Sequence, residues 1–299
     1  MSNRAQEIIR RVKRIELSTK RLIDTLLTGQ YHTRFKGHGM QFSDLREYYL
    51  GDDIRHIDWK VTARTQSAHV KKFEEERELS VYFLVDLSAS GDFGSVEHTK
   101  REALAEVCAL LAFAAVKNGD KVGVVLFTDR IEKHIPPKKG RGHALRLITE
   151  LLAFEPQGKG TDLKGALDYC LKVMKHKGIL FVASDFYADG YESPLKKLAN
   201  RHDLIALTVS DPRESELPPL GFIDTVDAET GRTGWINAAS YAFRKAFSQR
   251  RQRVEGEIKQ RLMSAGADRI ELSTGEDYLK SVVEYFARSR PGRSARRVP

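Results

Sequence analysis

Cysteine is nearly absent: two residues, Cys108 and Cys170, occur in 299. Both fall inside apolar, helix-like patterns, so the chain has no disulfide framework and no cysteine-based zinc spacing. A reducing, cytoplasmic setting is expected. Long hydrophobic runs are missing too. The stretch Ala109 to Val116 is far short of the ~20 apolar residues that a membrane helix requires. Arg4, Arg10 and Arg11 break up the amino-terminal segment, which does not read as a signal peptide. Several catalytic and nucleotide motifs are also lacking. Gly158-Lys159-Gly160-Thr161 lacks the frame of a phosphate-binding loop, and Gly140-Arg141-Gly142 lacks a third glycine. There is no G-x-S-x-G nucleophile elbow, and the nine histidines show no metal-ligand spacing. His38, His56 and His143 read as solvated or network histidines.

What is present is charge, unevenly placed. The formal total is +9. Residues 1–79 carry 16 basic and 12 acidic groups, residues 80–243 carry 20 and 22, and residues 244–299 carry 14 and 7. The middle of the chain is near neutral and both flanks are basic. A domain that grips nucleic acid through its folded surface needs lysine and arginine gathered on that surface, so nucleic acid is not the favoured partner. The tail 289–299 reads as a disordered, solvated basic segment, because nothing in it offsets the entropy of ordering.

From Ser80 onward, short apolar runs alternate with longer amphipathic stretches. Val81–Val85, Val122–Phe127, Ile179–Ala183, Leu204–Val209 and Arg269–Leu272 read as strands, with Ile131–Ile135 as an antiparallel edge stopped by Pro136-Pro137. Helices are expected over 97–118, 143–152, 162–175, 193–200, 241–264 and 277–288. Phe222–Asp227 and Gly234–Ala238 predict a β-hairpin inserted at about 215–240. This alternation predicts an α/β domain over 80–288 built on a doubly wound, mostly parallel sheet. Residues 1–79 form an N-terminal extension, helical over Asn3–Leu27, with a loop rich in Gly, Asp, Arg and aromatics over 34–64.

Chemistry gathers at the strand ends. Asp86-Leu87-Ser88-Ala89-Ser90 puts a carboxylate and two hydroxyls at the carboxyl end of a buried strand, where open α/β sheets bind ligands. Thr161-Asp162 before one helix and Asp185 after another strand add hard oxygen donors from two further loops. Such donors suit Mg²⁺. Taken singly, Ser90 and Thr161 also serve as helix caps, and Asp86 and Asp185 also bind loop amides. The order and placement of all of them favour a metal site.

Asp86, Ser88, Ser90, Thr161 and Asp185 resemble the metal-ion-dependent adhesion site of a von Willebrand factor A domain, with Ala89 where that motif often has glycine. The resemblance implies direct Mg²⁺ ligation by Ser88, Ser90 and Thr161. It also implies that Asp86 and Asp185 act directly or through water, and that a partner's acidic residue takes the last position. Gly37 to Arg64 resembles the R-x-Y-x-x-G-D-D-x-R-x-I-D-W signature of the bacterial domain-of-unknown-function 58 family, carried by Arg46, Tyr48, Gly51, Asp52, Asp53, Arg55, Asp58 and Trp59. Glu75-Glu76-Arg77-Glu78 fits the same family, and the likeness covers about residues 20 to 288. It implies a von Willebrand factor A-like fold, a MoxR-type AAA+ ATPase as partner, and a non-enzymatic role on client proteins; longer relatives have amino-terminal membrane helices, and none is expected here.

In physical terms, the alternating Asp and Arg of the signature, together with Asp44, predict a salt-bridge network that anchors the loop against the sheet, with a direct partner-binding surface as the alternative. Metal-assisted phosphate hydrolysis is the alternative enzymatic reading. It is weakened because Ser88 stands where an Asp-nucleophile phosphatase needs its second aspartate. Nucleic-acid binding through the basic C-terminus is the other alternative.

Overall fold

Val81, Phe83 and Val85 turn to one side of their strand and Tyr82 and Leu84 to the other, and all five are buried. A strand with both faces covered belongs in the middle of a sheet flanked by two helical layers, and the computed structural model places it there. The structure describes residues 41–74, 78–96, 98–226 and 231–288, with isolated positions between 10 and 35.

In chain order the elements are β1 (Gln41–Glu47), α1 (Trp59–Thr65), β2 (His69–Glu74), β3 (Ser80–Asp86), α2 (Lys100–Lys117), β4 (Lys121–Phe127) and β5 (Ile131–Lys138). They continue as α3 (Arg141–Ala153), α4 (Leu163–Val173), β6 (Ile179–Ala183), α5 (Glu192–Arg201), β7 (Asp203–Ser210) and the one-turn helix α6 (Pro212–Ser215). The last are β8 (Phe222–Val226), β9 (Thr233–Asn237), α7 (Tyr241–Ala265), β10 (Asp268–Ser273) and α8 (Tyr278–Ala287).

The main sheet has six strands in the order β10-β7-β6-β3-β4-β5. All neighbours are parallel except β4 and β5. One face is covered by α2, α3 and α8, the other by α4, α5 and α7. Val12, Ile15, Ile23, Tyr31 and Phe35 are buried in the α2 and α8 layer. The rings of Tyr31 and Phe35 lie 4.9 Å apart, and those of Phe35 and Phe286 5.7 Å apart. Other parts of the expected Asn3–Leu27 helix, and the 289–299 tail, lie outside the described residues.

Three expectations are corrected. The run at β5 does not stop at Pro136-Pro137 but continues to Lys138. As an edge strand it has no second neighbour to bond, so the missing N–H groups cost nothing there. The 34–64 stretch is not loop throughout. It contains β1 and α1, and β1 pairs antiparallel with β2. Helix α2 begins at Lys100 rather than at 97, because Thr99 and Glu102 close a reciprocal capping box. The inserted hairpin, β8 with β9, lies within the expected limits.

Close backbone approach fixes one glycine. A β-carbon on Gly178 would lie 2.3 Å from the Ser80 carbonyl oxygen, at the start of the central strand. Neither backbone can yield without shifting β3 or β6. Gly178→Ala is expected to destabilise the fold by about 2 kcal/mol, read as a lower urea midpoint at unchanged slope. An unchanged midpoint would contradict this packing.

Candidate metal centre

β3 and β6 lie side by side, with Val85 opposite Ala183. The chain leaves β3 through α2 toward β4, and leaves β6 through α5 toward β7, on the other side. The connections therefore diverge at this pair, the place where open α/β sheets bind ligands. Asp86 closes β3, and Asp185 follows β6 by two residues.

Asp86 is buried and held at both oxygens. Oδ1 accepts from the Ser88 amide at 2.9 Å, and Oδ2 accepts from the Ser184 hydroxyl at 2.7 Å. Burial, and after it the charge of Asp185, pushes this carboxyl up to about 6, although the Ser88 and Ser184 hydrogen bonds pull the other way. Ser88 is also buried, with Oγ 3.2 Å from Ser90 Oγ. Ser90 Oγ donates to Asp185 Oδ2 at 3.0 Å, and Asp185 Oδ1 accepts from the Tyr187 amide at 3.2 Å.

The third loop is laid against the first by the Ala89 amide, which donates to the Lys159 carbonyl at 3.1 Å. Two residues on, Thr161 is half-buried and directly precedes Asp162. Asp162 caps α4 by accepting from the Gly165 amide at 2.9 Å. The structure thus joins Asp86, Ser88, Ser90 and Asp185 through side-chain and amide hydrogen bonds. Thr161 enters through its loop.

Sequence reasoning missed the groups that balance this charge. Lys100 is 1% exposed, with Nζ 2.7 Å from Glu214 Oε1 and 3.6 Å from Asp185 Oδ2. Arg251 approaches the other Glu214 oxygen at 3.1 Å, and its guanidinium lies 4.6 Å from the centre of the Tyr187 ring. A signal for Lys100 was available: it stands four residues before Leu104, on the same helical stripe as Leu104, Val107 and Leu111. Ser184 offered only its place beside Asp185. Glu214 and Arg251 offered none, since only tertiary folding brings them to the site.

A cation fits the donors. Every candidate ligand atom is a hard oxygen, one carboxylate is buried beside a second, and hydroxyls supply the rest, as small divalent cations prefer. Among the described residues no three His, Cys, Asp or Glu side chains converge on one point, so hydroxyl oxygens must complete any such coordination.

The signature residues form a separate cluster. Arg46 holds Asp52 through two bonds of 2.7 Å, and Asp52 also accepts from the Tyr49 amide. Asp53 pairs with Arg55 at 3.0 Å and caps the short turn Ile54–His56. Asp58 caps α1 by accepting from the Lys60 and Val61 amides. Gly51 takes φ +111°, which favours glycine, and the Tyr48 amide donates to the Ala68 carbonyl. Among the described residues these contacts of the signature are short-range pairs and caps, and Trp59 and Tyr49 are 69% and 67% exposed rather than packed on the sheet. The Asp44 and His56 side chains lie outside the described residues.

An uncharacterized protein of Mycobacterium tuberculosis is 30% identical over 284 residues, covering 94% of this chain and 89% of that protein. The protein YeaD of Bacillus subtilis is 28% identical over 115 residues, covering 38% of this chain and 26% of that protein. Among solved structures, the conserved hypothetical protein BatB from Bacteroides thetaiotaomicron matches with a TM-score of 0.44 at 16% identity, over 71% of this chain and all of that chain. An aerotolerance-related membrane protein from Bacteroides fragilis matches with a TM-score of 0.46 at 15% identity, over 70% of this chain and 96% of that chain. Among the described residues no helix is long and apolar enough to cross a membrane. The family described as "Protein of unknown function DUF58" matches residues 44–257, and the chain belongs to that family.

Proposed function

We propose that this chain is a von Willebrand factor A-like, non-enzymatic interaction module of the cytoplasm that works with a MoxR-type AAA+ ATPase in assembly or maturation of client proteins. Asp86, Ser88, Ser90, Thr161 and Asp185 would hold Mg²⁺. Bound there, the ion would supply a Lewis-acidic position for a carboxylate of the client. The observation that carries this reading is the connected run from Asp86 through Ser88 and Ser90 to Asp185 at the strand ends.

The chain's own residues prepare that position. The Ser88 amide and the Ser184 hydroxyl fix the two oxygens of Asp86, and the Tyr187 amide fixes Asp185. Lys100 stands behind Asp185 and limits the negative charge of the pair. Ser88 has no acid–base capacity two residues after Asp86, which favours binding over phosphate hydrolysis.

Affinity purification from native cells tests the reading. With Mg²⁺, the wild-type protein is expected to recover an AAA+ ATPase and a client, and recovery of the client is expected to fall at least tenfold with Ser88→Ala or with a chelator. Equal client recovery under all three conditions would overturn the metal-dependent function.

A further inference from the structure

After the strand ends of the candidate metal centre, the chain presents exposed apolar side chains and then a stretch rich in positive charge. Along β8 and β9, Phe222, Asp224 and Val226 lie on one face, and Trp235 is opposite Asp224. Phe222, Val226 and Trp235 are 72%, 64% and 74% exposed. A lone two-stranded hairpin that shows such a face to water gains little from folding by itself.

The hairpin runs directly into α7, whose first residues Tyr241 and Phe243 are also exposed. From Gly231 to Val254 the sequence has six basic residues and no acidic one. Five of them, Arg244, Lys245, Arg250, Arg251 and Arg253, fall in α7. Arg244 and Lys245 fall within its first five residues, where a cation opposes the helix dipole. Arg244 donates to the Ala238 and Ala239 carbonyls, and Arg251 is engaged by Glu214. Lys245, Arg250 and Arg253 are exposed.

This surface follows the metal centre along the chain. β7 runs parallel to β6, so its end at Ser210 lies at the same sheet edge as Asp86 and Asp185. From there the chain passes α6, where Glu214 meets Lys100, before it reaches the hairpin. A cavity of about 280 Å³ reaches from Asp185 and Tyr187 to Arg251 and Glu255 of α7 and is closed by Arg269, Glu271 and Glu276.

We infer that the β8–β9 hairpin and the first half of α7 form a docking surface for an acidic protein segment with interspersed aromatic or aliphatic side chains. The apolar side chains of the segment would lie on Phe222, Val226 and Trp235. Its carboxylates would meet Lys245, Arg250 and Arg253. The inference rests on the proposed function in one respect: one carboxylate of the same segment is the group offered to the metal centre. Arginine, lysine and aromatic side chains together also suit single-stranded nucleic acid. With Mg²⁺ held at that centre, as proposed above, a carboxylate would complete the oxygen coordination, so the surface is assigned to a protein segment.

A displayed random-peptide library, panned on the full chain with Mg²⁺, tests this directly. Enriched peptides are expected to be rich in Asp and Glu with interspersed aromatic or aliphatic residues. The best of them, made synthetically, is expected to bind at least tenfold more weakly to a Lys245→Glu, Arg250→Glu, Arg253→Glu variant and to Trp235→Ser. All four side chains are exposed, so unchanged thermal unfolding is expected to accompany the loss. Peptides without acidic bias, equal affinity for the charge-reversed variant, or tighter binding of a single-stranded oligonucleotide of equal charge would overturn the docking surface. Asp86→Asn separates the two readings. If charge reversal abolishes binding while Asp86→Asn and chelation leave it intact, the surface stands and the metal-dependent function falls. If only Asp86→Asn and chelation weaken binding, the surface falls and the metal-dependent function stands.

Discussion

Asp86→Asn is expected to make the metal-free protein more stable at pH 8, by about 2 kcal/mol, while removing its response to Mg²⁺. Burial, and next the charge of Asp185, raises the Asp86 carboxyl to about 6 in the folded protein from an ordinary value of 3.8. A carboxyl raised on folding favours the native state when protonated. Its contribution is complete below the unfolded value and is lost as pH rises through the folded one. Each unit of difference is worth about 1.4 kcal/mol. Asparagine keeps the shape and the Ser88 amide bond, and its amide can donate to the Ser184 oxygen where Ser184 had donated to Asp86. The charge cost disappears. The advantage of the variant is expected to shrink between pH 6 and 4 and to vanish below it, as the wild-type carboxyl takes its proton. With Mg²⁺ the order reverses, since a ligand bound only by the native wild type stabilises it by mass action. Urea titrations at pH 4 and pH 8, with and without Mg²⁺, check all four corners. An Asp86→Asn protein less stable than wild type at pH 8 without metal would contradict this account of the site. The site is built at some expense of stability, as groups arranged for binding often are.

Lys100→Met is expected to destabilise the protein by about 3 kcal/mol. The ammonium is almost fully enclosed and lies between Glu214 and Asp185. Removing one member of a buried ion pair leaves its partners desolvated without compensation, the costly half of the exchange. Glu214 keeps Arg251 at 3.1 Å, but no such replacement near Asp185 follows from the substitution. The cost should be partly returned by Glu214→Gln in the double variant, because that change removes one of the stranded charges. A double-mutant cycle in urea measures the coupling. Mg²⁺ is expected to stabilise Lys100→Met more than it stabilises the wild type, since Asp185 then faces a cation without competition. A loss under about 1 kcal/mol, the scale of an exposed pair, would show that the lysine does not hold the site together.

The parts of the centre that were legible in the sequence are those set by local geometry. The apolar run Val81–Val85 places Asp86 at a strand end, and the run Ile179–Ala183 does the same for Asp185 two residues on. Once the sheet order brings β3 beside β6, both carboxylates must lie at one edge. Ser88 and Ser90 follow from Asp86 by chain distance alone.

The burial of Lys100 was legible from its apolar stripe, but its pairing was not, because nothing local announces that it will meet Glu214, 114 residues away in sequence. The pairing of β1 with β2 was hidden for another reason. Its register shifts between Phe42 and Asp44, which breaks the period of two that identifies a strand. Helix α1 has only seven residues, too few for a helical stripe to show. The strand through Pro136 and Pro137 ran against a sound rule, whose exception applies because β5 is an edge.

Calorimetric titration of Mg²⁺ into the wild-type chain and into Asp86→Asn, both at neutral pH, tests the central claim most directly. The account predicts a saturable heat with one ion per chain for the wild type and none for the variant. Equal heats for the two proteins, or no heat for either, would contradict it.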